Sequence, residues 1–160
     1  HHMSDPVAAF REVARTLTAG AHFVILNSNA EQTSRYWLNE YFPLAMRKAI
    51  AQYKRIEAAD ALRAAGLRVV REEPYEVADD LQDQFLYIGK HRPQMYLDPT
   101  VRAGISFFAD PPDSNEVERG VAQLGADIKS GRIREVMFSY AHDGGDYVFT
   151  VARKLRGGDS

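Results

Sequence analysis

The sequence predicts an α/β fold, with a C-terminal α+β accessory region ending in a β-hairpin. Three observations carry this expectation. A helix followed by a short apolar strand opens the chain over 5–29, a second such unit spans 56–70, and a glycine pair separates two strand-like runs near the end. Helices alternating with strands point to an open sheet covered by helices.

The opening unit organises the rest. Asp5 suits an N-cap and Pro6 the first helical position, where a missing N–H costs nothing. Val7, Phe10, Val13, Ala14 and Leu17 recur on one helical face, and Gly20 ends the helix. Phe23, Val24, Ile25 and Leu26 form an apolar run too short for a helix, which suits a strand buried on both faces. Asn27, Ser28 and Asn29 then stand at the carboxyl end of that strand, where open α/β sheets bind ligands. Asn-Ser-Asn is equally ordinary turn chemistry.

The stretch 31–53 holds Tyr36, Trp37, Tyr41, Phe42 and Tyr53 and reads as helical on both sides of Pro43. Such side chains serve a pocket wall or lid as readily as a core. A helix over 56–65 stops at Gly66, and Leu67, Val69 and Val70 begin a strand expected to end before Pro74. Glu76, Asp79, Asp80 and Asp83 read as a solvated loop rather than a metal site, since no metal-loop spacing is present. The apolar run 85–88 reads as a third strand closed by Gly89. Asp98-Pro99 opens a helix reaching Phe107 and Phe108, and a second runs from Ser114 through Val117, Val121, Leu124 and Ile128 to Gly131. The runs 135–140 and 146–152 read as a hairpin joined by His142, Asp143, Gly144 and Gly145. His142, Asp143 and Asp146 are thus hairpin residues before they are metal ligands, and His22 and His91 read as structural.

Composition bounds the function. The chain has 160 residues, 45% of them apolar, which suits one globular domain. Its 20 basic and 22 acidic side chains leave a net charge of −2, so no overall field attracts nucleic acid or an anionic membrane. No apolar run approaches the ~20 residues needed to span a bilayer. The absence of cysteine excludes disulfides and thiolate chemistry and fits a reducing cytoplasm. His1-His2-Met3 reads as a tag remnant, and 156–160 as a mobile tail. No G-x-S-x-G elbow is present.

Several of these segments resemble class I S-adenosylmethionine-dependent methyltransferases. Phe10, Glu12, Arg15, Leu17 and Gly20 follow that family's F-x-E-x-x-R-x-L-x-P-G-G pattern, with Ala19 and Ala21 replacing its Pro and second Gly. Tyr41-Phe42-Pro43 is similar to its YFP element, and Leu62 to Leu67 to its L-x-x-A-G-F lead into a strand. The resemblance implies a partial doubly wound, Rossmann-like sheet over 4–93, with the strand at 23–26 as the fifth, a third strand in this chain running antiparallel, and an accessory region over 94–155. The family's glycine-rich turn and ribose-binding acidic residue precede the matching segment and have no counterpart here.

The resemblance therefore implies the C-terminal, substrate-side half of a methyltransferase, inactive by itself. S-adenosylmethionine would serve the complete enzyme, with no cofactor site and no metal in this chain. The substrate pocket would involve Asn27, Ser28, Asn29, Tyr36, Trp37, Tyr41 and Phe42, and the catalytic residues stay unassigned. A small-molecule methyl acceptor is expected for the complete enzyme. A homodimer is expected through the sheet edge near Phe23 to Leu26, because that edge would lack its partner strands. The alternatives are a stand-alone non-catalytic binding or dimerisation domain of the same descent, and a hydrolase or isomerase using the aromatic cleft with Asp or His groups.

Overall fold

The computed structural model describes residues 5–55 and 58–155. Helix α1 (Pro6–Thr16) starts as expected, with Asp5 accepting the Ala8 N–H at 2.9 Å, and delivers the chain into β1 (His22–Asn27). Helices α2 (Ala30–Ser34), α3 (Leu38–Tyr41), α4 (Pro43–Arg55) and α5 (Ala58–Ala64) lead to β2 (Leu67–Tyr75). A 3-10 turn (Pro93–Leu97), α6 (Pro99–Ala103), α7 (Ser106–Ala109), α8 (Ser114–Ser130) and α9 (Ile133–Ser139) precede the last strand, β3 (Tyr147–Lys154).

The strands form one sheet of order β1-β3-β2, antiparallel at both pairings. β3 is thus the central strand, and β1 and β2 run parallel to each other on either side of it. The described residues form a mixed α/β structure with a small three-stranded antiparallel sheet, and these three strands do not by themselves make a doubly wound one. Two expectations are corrected by this topology. The antiparallel third strand is Tyr147–Lys154, whereas 85–88 is a turn in which the Ile88 N–H bonds the Phe85 carbonyl and the Lys90 N–H that of Tyr87. Gly89 closes no strand. It makes room for the Tyr96 ring, which a Cβ would overlap.

The expected hairpin is also replaced. Its first run is helix α9, because Ile133, Val136, Met137 and Tyr140 repeat at 3.6-residue spacing and face the core. β2 runs on through Pro74, which pairs with Val148, since an edge strand tolerates a residue without an N–H. The helix expected from Asp98 breaks at Gly104 into α6 and α7, with Ile105 buried at the junction.

Two cores hold the elements. The smaller lies between the sheet and helices α1 and α5, where Phe10, Leu62, Leu67 and Ala152 are buried with Phe23, Ile25 and Val69 against them. β1 is therefore covered on one face rather than two: Val24 and Leu26 point away and are 53% and 42% exposed. The larger core joins Trp37, Phe42 and Met46 to Tyr96, Leu124, Ile133 and Val136, so 4–93 and 94–155 share it. Gly120 lets α8 close on α3, since a Cβ there would overlap the Tyr41 carbonyl oxygen and the Phe42 ring. The tag remnant and the tail at 156–160 lie outside the described residues.

Candidate functional site

A cleft of about 700 Å³ opens at the carboxyl end of β1, within the size range of small-molecule sites. Leu26, Asn27 and Ser28 form its floor where the strand gives out. Helix α4 forms one wall with Ala45, Lys48, Ala49, Gln52 and Tyr53. These positions follow i, i+3, i+4, i+7 and i+8, so a single helical stripe of small and polar residues faces the cleft. The opposite wall comes from Asp83 to Leu86, from Gly104 to Phe107 and from Tyr147. Phe85 meets Tyr147 edge-on at 4.8 Å, which fixes the orientation of both rings.

Hydrogen bonding builds the floor. Asn29 caps α2 by accepting the Gln32 N–H at 2.8 Å, while Gln32 accepts the Asn29 N–H at 3.2 Å and donates to the Tyr147 carbonyl at 3.0 Å. Ser28 Oγ lies 3.0 Å from Thr33 Oγ1 and 2.8 Å from Tyr36 Oη, beneath the Asp146 carbonyl. The strand end is thereby tied to both α2 and the start of β3. A second cleft of about 680 Å³ adjoins the first and shares Asn27, Ser28 and Tyr53 with it.

Electrostatically the site holds neutral hydroxyls beside a few carboxylates. Burial raises the pKa of Tyr53 and Tyr147 above the ordinary tyrosine value, so both stay protonated and serve as hydrogen-bond donors or acceptors, not as phenolate bases. Lys48 Nζ donates to the Asp110 carboxylate and carbonyl, both at 2.7 Å, and that hydrogen bond with its charge lowers the Asp110 pKa.

The expected site residues divide. Asn27 and Ser28 line the first cleft and Asn29 the second. Tyr36, Trp37, Tyr41 and Phe42 are at most 3% exposed, line neither cleft, and belong to the core. Trp37 Nε1 donates to the Lys90 carbonyl at 3.1 Å and Tyr41 Oη to Asp127 at 2.9 Å, so their polar handles are spent on structure. Lys48, Gln52, Asp83, Phe85 and Phe107 were missed. The α4 stripe was the one readable signal among them, being neither apolar enough for core nor charged enough for solvent.

The metal alternatives find no support in geometry. Asp146 Oδ2 is buried, accepting the Val77 N–H at 2.7 Å and Lys90 Nζ at 2.8 Å. His142 accepts the Gly144 N–H within its own turn, and His91 Nε2 meets the Val77 carbonyl at 3.0 Å. No group of three or more metal-capable side chains occurs among the described residues. The left-handed glycines Gly20, Gly66, Gly131 and Gly145 lie in chain turns, Gly131 capping α8 and Gly145 lying against Pro74. None of these four glycines lies in a turn that leads from a strand into a helix. No helix among them is long and apolar enough to cross a membrane.

Among solved structures, the chain is similar to a protein of Anabaena variabilis ATCC 29413 provisionally described as a methyltransferase from an antibiotic biosynthesis pathway. The two are 31% identical, with a TM-score of 0.78 over 97% of this chain. The chain spans 63% of that protein's length. No family model matches the chain, and no curated protein does. The likeness supports a methyltransferase fold for this chain.

Proposed function

We propose that this chain is the acceptor-binding, C-terminal portion of an S-adenosylmethionine-dependent methyltransferase, holding the methyl acceptor in the cleft at the end of β1. The observation that carries the reading is the coincidence of that cleft with the end of a strand in a chain 31% identical to a methyltransferase-like protein. The antiparallel β3 agrees with the family's antiparallel strand. The missing glycine-rich turn and the 63% span of the neighbour both favour a division of labour, with the cofactor held elsewhere. Residues of this chain would bind and orient the acceptor and exclude water from it. When bound, the cofactor supplies the methyl group.

The test has two arms. Calorimetry on this chain alone is expected to show no saturable binding of S-adenosylmethionine, and micromolar binding would overturn the division of labour. Joined to the part of the Anabaena protein that it does not match, the chain is expected to transfer labelled methyl to an acceptor. A folded fusion that binds the cofactor yet transfers nothing to a broad acceptor panel would favour the non-catalytic domain instead.

A further inference from the structure

We infer that the cleft at the end of β1 selects ring-bearing amines over ring-bearing acids, with Asp83 as the residue that sets the preference. The inference rests on the acceptor-site reading and names its substrate class.

The walls decide the shape of the ligand. Tyr53, Phe85, Phe107 and Tyr147 come from four separate elements and all line one cavity of about 700 Å³. Leu26 and Ile105 add apolar surface between them, and Ala45 and Ala49 leave the α4 side open. A flat, apolar ring system fits such walls by stacking and edge contacts.

Charge decides its sign. Among the described residues that line the cleft, the charged ones are Lys48, Asp83 and Asp110. The cation is committed: Lys48 Nζ is held twice by Asp110. Asp83 is exposed at the mouth, accepts the Gln84 N–H at 2.8 Å, and has no cationic partner among the described residues. The lining therefore carries one uncompensated negative charge beside four aromatic rings. A carboxylate at a low-dielectric cleft attracts cations and repels anions, and ring faces add to the attraction for an ammonium group. Tyr53 and Tyr147 stay neutral and alter none of this.

The experiment is calorimetry on this chain with three probes of one shape: naphthylmethylamine, naphthylmethanol and naphthoic acid. The expected order is amine, alcohol, acid, with roughly tenfold between the extremes, since attraction of the size of an exposed ion pair is replaced by repulsion. Asp83→Asn, at an exposed loop position, is expected to weaken the amine about threefold to fivefold and leave the alcohol unchanged. Lys48→Met frees the Asp110 carboxylate and is expected to strengthen the amine by a similar factor. Equal affinities, a preference for the acid, no binding of any probe, or an Asp83→Asn chain with the original ranking would each overturn the inference. None of these readouts involves methyl transfer. A chain that prefers the amine while the fusion transfers no methyl refutes the proposed function and leaves this selectivity standing.

Discussion

Asp146 and Lys90 form an ion pair at 2.8 Å that joins the start of the central strand to the loop before the 3-10 turn. The Asp146 side chain is fully buried and the Lys90 side chain 19% exposed, and the Val77 N–H bonds the same carboxylate oxygen. The pair therefore pins the 76–91 segment, which carries Asp83 and Phe85 of the cleft, against β3. Removing one member of a buried pair strands the other. Asp146→Ala is expected to cost about 3–5 kcal/mol in urea unfolding. Lys90→Met should cost at least as much, because it leaves a fully buried carboxylate with the Val77 N–H on one oxygen and no partner on the other. A loss under 1 kcal/mol for Asp146→Ala would show that the pair holds nothing.

Trp37 tests the distinction between core and lid. It is buried edge-on against Tyr41 and Tyr96, with ring centroids 6.0 and 5.6 Å away, and bonds the Lys90 carbonyl. Trp37→Ala is expected to cost about 3–5 kcal/mol of stability. Phe107→Ala, at the cleft wall, should instead weaken the naphthyl probes at a smaller cost in melting temperature. The reverse pattern would restore the lid.

Much of this fold was legible because it is local. The Asp5 cap, the Gly66 and Gly131 stops and the periodicity of α1 and α8 each depend on neighbours within a few residues. The strand run near the C-terminus was legible too, but its partners were not. Pairing β3 with both His22–Asn27 and Leu67–Tyr75 is a long-range choice that no local pattern encodes. The run 85–88 was misread because four apolar residues suit a buried turn as well as a strand. At the site, Asn27 and Ser28 followed from the strand-end rule, whereas Tyr36 and Phe42 misled because cores and pockets use the same rings. Phe85, Phe107 and Asp83 carried no signal, since only the packed loops bring them together.

Alkali should unfold the protein through its tyrosines. Burial raises the pKa of Tyr36, Tyr87, Tyr96 and Tyr147 above the ordinary value of 10.0. Between the unfolded and folded pKa values the native chain holds more protons than the unfolded one, so stability falls as pH rises through that window. Below pH 10 the contribution is fully present. Tyrosinate absorbance is expected to rise together with loss of circular dichroism above that pH. Four buried tyrosines ionising at pH 10 without unfolding would contradict the packing.

The last prediction concerns the free edge of β1. That strand pairs with β3 along one edge, and along the other it has no strand partner among the described residues. Val24 and Leu26 add exposed apolar surface beside it, so both backbone and side chains invite cover. A second copy supplies it most simply, since antiparallel pairing of β1 with its two-fold mate repeats the same contacts from both sides. A stable dimer of this kind should bury at least ~1,000 Å², and light scattering at tens of micromolar is expected to report twice the monomer mass. The two faces of β1 then separate assembly from folding. Val24→Lys, on the uncovered face, should give a monomer with nearly unchanged melting temperature. Ile25→Lys, whose side chain packs toward the α1 and α5 face, should instead destabilise the fold itself, because it places a charge among apolar groups. A monomeric wild-type chain, or a dimer indifferent to Val24→Lys, would show that this edge is not what joins two copies.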